Sequence, residues 1–122
     1  MDNKIFGEVK FNMGWETKKD ILFFDTKYKI TVSAAAYYET DKITEEQEIS
    51  YSEFLENEKM ILNKIQEQID ALDGKTRYIP CLLLIQENGD YALIFDDKDD
   101  VEAGIAVTIK PEYSVLDTDQ YL

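Results

Sequence analysis

TEEQEISYSEFLENEKMILNKIQEQIDALDG, residues 44–74, decides the fold of this 122-residue chain. Thr44 followed by Glu45, Glu46 and Gln47 is a capping box. The threonine oxygen accepts from the Gln47 backbone, while the glutamine side chain reaches back to the N-cap amide. Acids in the first turn complement the helix dipole. Tyr51, Phe54, Leu55, Ile61, Leu62, Ile65, Ile69 and Leu72 then recur at helical spacing, and Gly74 is placed to cap the end. The pattern predicts one long helix or a helix pair.

Glu58 is out of place in that stripe. On a continuous helix it falls between Phe54 or Leu55 and Ile61 or Leu62, in the middle of the apolar face. An unpaired carboxylate there costs several kcal/mol. Two solutions are open: a kink or restart near Asn57 that turns Glu58 outward, or a buried, partnered Glu58, its pKa raised by desolvation or held down by a lysine. The second would make it a site candidate with a shifted pKa.

Strands flank the helix on both sides. Ile5, Gly7, Val9 and Phe11 share a face, and Asn12-Met13-Gly14 supplies a hairpin connection. Trp15, Thr17, Lys19, Ile21 and Phe23 form one side of a second strand, Asp25-Thr26-Lys27 turns the chain, and Tyr28–Tyr38 forms a third. Ala34, Ala35 and Ala36 leave room for a closely packed neighbour. After the helix, Cys81-Leu82-Leu83-Leu84-Ile85 reads as a central strand covered on both faces. Asn88-Gly89 reads as a type I′ turn into Tyr91–Phe95. Ile105–Ile109 follows, then a short edge strand at Tyr113–Leu116 and a mobile end at 117–122.

The expectation is therefore a single domain, residues 1–122, of α+β class. Its mainly antiparallel sheet runs in βββ-α-βββ order, with one long helix, kinked or not, packed on one face. One helix cannot cover both faces. Leu22-Phe23-Phe24 and Leu82–Ile85 call for sheet curvature, coverage by the chain ends, or a second subunit in a homodimer.

Composition narrows the chemistry. There is no histidine and a single cysteine, Cys81. Zinc sites of thiolate and imidazole, cysteine–histidine pairs and serine–histidine–aspartate triads are all excluded. The glycines form neither a P-loop nor a dinucleotide fingerprint. Asp96-Asp97-Lys98-Asp99-Asp100-Val101-Glu102 is rich in oxygen, but Lys98 and Val101 break calcium-loop spacing. The reading is a protein with no catalytic residues, metal or cofactor.

Charge supplies a positive indication. The formal net charge is −13. It is uneven: residues 1–38 carry six lysines against five acids, residues 39–76 four against eleven, and residues 77–122 three against ten. Phosphate backbones and anionic lipid surfaces repel such a chain, so neither nucleic acid nor membrane is an expected partner. A basic protein is. The carboxylates expected to meet it are Asp96, Asp97, Asp99, Asp100 and Glu102 in the loop, with Glu45, Glu53 and Glu56 on the outer helix face. The tyrosines, among them Tyr37, Tyr38, Tyr51, Tyr78, Tyr91, Tyr113 and Tyr121, more often fill strand faces than recognise ligands, but any that reach an acidic rim would make good interface anchors. With no export signal at Met1-Asp2-Asn3-Lys4 and no apolar run of membrane-spanning length, a cytoplasmic location is expected.

Three stretches carry a family resemblance: the helix start Thr44–Gln47, Gln86-Glu87-Asn88-Gly89-Asp90-Tyr91, and Val101-Glu102-Ala103-Gly104-Ile105-Ala106-Val107. From Thr44 onward the chain resembles small acidic bacterial domains of unknown function of the DUF6985 and DUF2004 type. In that pattern the last stretch is often Glu-His-Gly before a strand. Ala103 stands in place of the histidine here, so no role passes through it. The resemblance implies, by analogy of size and acidity, an immunity protein that covers a basic site on a toxin, and it supplies no catalytic residue.

Overall fold

The structure, a computed structural model, describes residues 1–73, 75–100 and 102–122. Gly74, the expected helix cap, and Val101 lie outside them.

The chain is α+β, as expected, but its element order is richer than βββ-α-βββ. A two-stranded ribbon comes first, β1 (Asp2–Asn3) with β2 (Gly7–Glu8). A seven-stranded sheet follows, built from β3 (Lys10–Phe11), β4 (Gly14–Phe23), β5 (Thr26–Ala35), β6 (Tyr78–Ile85), β7 (Tyr91–Asp97), β8 (Gly104–Lys110) and β9 (Ser114–Asp117), side by side in chain order. The expected first strand is thus divided. Gly7 at φ 75° turns the backbone there, and Asn3 Oδ1 accepts from the amides of Ile5 and Phe6.

Neighbours are antiparallel except β5 and β6, which run parallel from Thr31↔Leu82 to Ala34↔Ile85. Parallel pairing needs a long crossover, and the helical segment supplies it. That segment is two helices, not one: α1 (Glu45–Glu56) and α2 (Glu58–Ala71), separated at Asn57. Asn57 has φ −118° and ψ 21°, outside helical geometry, and its side chain donates to Glu53 O at 3.0 Å. Asparagine competes with the helix ladder through such local bonds, so the break falls beside the misplaced Glu58.

The capping box forms as expected. Gln47 N donates to Thr44 Oγ1 at 3.1 Å and Thr44 N to Gln47 Oε1 at 2.9 Å. The same glutamine is buried and donates through Nε2 to Ala35 O and Ile85 O, each at 3.0 Å. One residue therefore starts the helix and docks it on Ile85, the last residue of β6 in the parallel ladder, and on Ala35, one residue beyond that ladder in β5.

Both helices pack on one face. Tyr51, Phe54, Ile61, Leu62, Ile65 and Ile69 meet Ile21, Phe23, Ile30, Val32, Leu83, Leu93, Phe95 and Val107 in one core. On the opposite face Ala92, Ile94 and Ala106 form a smaller cluster, joined by Cys81, Leu82, Leu84 and Tyr121. The second face of the central strands is thus covered in part by the chain's own end. Residues 117–122, expected as a mobile end, instead contribute the last residue of β9 and one helical turn, α3 (Thr118–Tyr121), started where Asp117 N donates to Gln120 Oε1 at 2.9 Å.

The β6–β7 connection also differs from the expected type I′ turn. Gly89 N donates to Gln86 O and Gln86 N to Asp90 O, and positive φ occurs at Gly89 but not Asn88. This five-residue loop brings Gly89 against α1, where a Cβ would lie 3.0 Å from both Glu46 O and Ser50 Oγ.

Candidate partner-binding surface

The segment between β5 and α1 projects two aromatics into solvent. Strand pairing stops at Ala35, so Tyr37 and Tyr38 leave the sheet, 84% and 70% exposed. They are held from below. Asp41 Oδ2 accepts from Tyr38 N at 3.0 Å, Asp41 N donates to Tyr38 O at 2.9 Å, and the buried Trp15 donates its indole N–H to Asp41 O at 2.7 Å. These bonds hold the main chain at Tyr38, and both rings reach solvent.

Carboxylates surround this end of the sheet. Thr44 Oγ1 donates to Glu87 O at 2.8 Å, which brings the α1 start, with exposed Glu45 and Glu46, beside exposed Glu87 in the Gln86–Asp90 loop. Glu39 is exposed next to Tyr38. Tyr37 lines two adjoining depressions. One is a notch shared with Glu87, Asp90 and Tyr121. The other is a groove of about 610 Å3 on the open sheet face. Burial pushes the Tyr121 hydroxyl up to about 12.

The two expected groups of acids do not form one patch. The Gln86–Asp90 loop precedes β7, and the Asp96–Glu102 stretch begins with the last two residues of β7, so they sit at opposite ends of a seven-residue strand, about 20 Å apart. Glu45 belongs to the tyrosine end. Glu53, 3.7 Å from Lys110, lies close by, because Lys110 pairs with Tyr91 at that end of β8. Glu56 is exposed at the far end of α1.

Within the carboxylate loop Asp96, Asp99, Asp100 and Glu102 are exposed, but Asp97 is not. It is 4% exposed and receives Arg77 Nε at 2.9 Å and Nη2 at 2.7 Å. Those bonds hold its carboxyl below the usual carboxylate range and raise the guanidinium further. Asp97 also accepts from Asp99 N at 2.9 Å, so it shapes the loop from inside. As an outward contact for a partner it is corrected: its oxygens are already taken by the fold. Among the described residues no group of three carboxylate or thiol side chains converges as a metal site.

Glu58 combines both solutions left open by the sequence. The helix restarts at Asn57, and the carboxylate, half-buried, pairs with Lys19 Nζ at 2.8 Å. Lys19 is on the helix-facing side of β4, so strand alternation supplies the cation that the helix position requires. Glu58 also lies near Tyr51, whose hydroxyl is pushed up to about 12 by burial and, secondarily, by this carboxylate.

Among the described residues no helix is long and apolar enough to cross a membrane. The exposed tyrosines could have been found in the sequence only by knowing where β5 stops, since strand alternation carried past Ala35 puts Tyr38 on the core face. No curated protein and no solved structure matches the chain. Residues 5–108 match the family described as domain of unknown function (DUF6985), and the chain belongs to that family.

Proposed function

We propose that this domain is a non-enzymatic binding module for a basic protein, and that it engages the partner through the end of the sheet carrying Tyr37 and Tyr38. The observation that carries the reading is the placement of two exposed tyrosines, Tyr38 with its main chain bonded to Asp41, in a segment where the exposed Glu39, Glu45 and Glu46, with Glu87 beside them, outnumber the exposed Lys42. Large amphipathic rings supply contact area at low entropic cost, and the surrounding charge speeds encounter and sets orientation. The partner class that fits is a protein with a cationic functional site. A toxin such as a nuclease is one, and the domain would then act as a bacterial immunity protein in the cytoplasm. The exposed loop acids Asp96, Asp99, Asp100 and Glu102 form a second, more distant attractive region. Capture of a basic protein from the native lysate at low salt, lost in a Tyr37→Ser, Tyr38→Ser variant, is the test. Retention by that variant would count against the reading.

A second reading, small-ligand binding or weak catalysis through Glu58, has one observation in its favour. Glu58 lines a depression of about 530 Å3 together with Leu22, Phe24 and Leu62. The carboxylate there already has Lys19 as partner, so a ligand would have to displace the lysine or bind the pair. Titration of the protein near neutral pH, with and without Glu58→Gln, separates the two readings: a titration lost in the variant favours this one.

A further inference from the structure

The groove beside Tyr37 has a composition that selects its occupant. Met13, Tyr37 and Leu122 are 88%, 84% and 72% exposed, the three highest values among the large apolar side chains, and all three line this one groove. Single exposed hydrophobics are ordinary, but convergence of the most exposed ones on a concavity marks a contact surface. The floor carries Ser33 and Ala35 from β5 beside Leu82 and Leu84 from β6, in register as Ser33↔Leu84 and Thr31↔Leu82. Ala35 is one of the three alanines expected to leave space for a close neighbour. The space opens outward to solvent, while Ala34 packs inward in the core.

We infer that this groove takes an extended segment of the partner in which leucine-like side chains alternate with lysine or arginine, an inference that rests on the partner-binding reading above. Leu82 and Leu84 repeat every second residue, about 6.6 Å, the spacing of same-face side chains in an extended chain rather than in a helix. The charged side chains lining the groove are Glu16 and Glu87, while Lys18, which donates to Thr31 Oγ1 at 2.6 Å, stands outside the lining, across β5 from Leu82. An apolar floor whose lining includes two carboxylates fits leucine-like side chains turned inward, with the intervening lysine or arginine side chains reaching back to Glu16 and Glu87 along their flexible stems. A second copy fits less well, because two chains of net charge −13 repel each other. Nucleic acid is opposed by the same carboxylates.

The test uses the full chain, isotopically labelled, and two capped pentapeptides of equal charge. One alternates lysine with leucine; the other has serine in place of leucine. The lysine–leucine peptide should move the amide signals of Ala35, Leu82 and Leu84 and bind about tenfold more tightly than its serine counterpart. Met13→Ser with Tyr37→Ser should remove that advantage, whereas Tyr38→Ser should not; all three positions are exposed, so the fold is not at stake. Equal binding of both peptides, or signal changes confined to Asp99–Glu102, would overturn the groove while leaving the acidic binding reading intact. Binding of neither peptide would count against both. A dimer in sedimentation equilibrium that the Met13→Ser, Tyr37→Ser variant dissolves would assign the groove to a second copy and overturn the inference.

Discussion

Gln47 Nε2 donates to the main-chain oxygen of Ile85 at 3.0 Å, joining the first turn of α1 to the end of β6. The second amide proton goes to Ala35 O, and Oε1 caps Thr44 N, so both amide protons and the oxygen of this buried glutamine are hydrogen-bonded. Removing it strands two carbonyls and a cap. Gln47→Ala should cost about 2–4 kcal/mol in urea denaturation. Gln47→Glu is the sharper probe. Its carboxylate would face two carbonyl oxygens and be buried, which raises its folded pKa above the unfolded value. The deficit relative to the parent should therefore be smallest below about pH 4 and grow as pH rises through the folded pKa.

The Asp97–Arg77 pair predicts the opposite slope. Arg77's hydrogen bonds lower the folded pKa of Asp97 below its ordinary 3.8. The stabilisation is thus fully present above that value and lost as pH falls through the folded pKa. Asp97→Asn should reduce stability at pH 7 and flatten the acid limb of the unfolding midpoint against pH. An unchanged acid limb would mean that the pair does not form in solution.

A double-mutant cycle tests whether Lys19 answers the misplaced Glu58. Lys19→Met and Glu58→Gln, singly and together, should give a coupling of about 0.5–1 kcal/mol, the range for a partly exposed ion pair. Each variant should keep its helical circular dichroism, because the break at Asn57 rests on backbone geometry and its own side-chain bond to Glu53.

Cys81 should be a poor nucleophile. Burial pushes its thiol up to about 12, and Asp96 adds to the shift. At pH 8 iodoacetamide should alkylate the folded protein about 1,000-fold more slowly than the unfolded chain. Rapid labelling of the folded state would contradict the packing of Cys81 against Ile94 and its neighbours on the second sheet face.

Local chemistry was the legible part of this sequence. The Thr44–Gln47 box, the Asn12-Met13 hairpin and the trouble at Glu58 all follow from side chains within a few positions of one another. Strand partnership was not, because period-two alternation says which face a residue occupies and nothing about the neighbour or its direction. That is why the parallel β5–β6 pair was missing from a reading built on short hairpins. The run from Asp96 to Asp100 shows the same limit at the candidate site. Its four aspartates look alike in sequence, and only Arg77, twenty positions away from Asp97, separates the internal one from the exposed three. Tyr121 gives no local cue at all; a single aromatic in a polar terminus became legible once its packing on Ala92, Ile94 and Ala106 was seen.

The central claim is that the Tyr37–Tyr38 end, rather than the Asp99–Glu102 loop, receives a basic protein. The most direct measurement compares salt-dependent capture from native lysate by two neutralised variants. One carries Glu39→Gln, Glu45→Gln and Glu87→Gln; the other carries Asp99→Asn, Asp100→Asn and Glu102→Gln. The account predicts that the first variant loses the low-salt capture shown by the parent and that the second retains most of it. Retention by the first with loss by the second, or no low-salt capture by the parent, would contradict it.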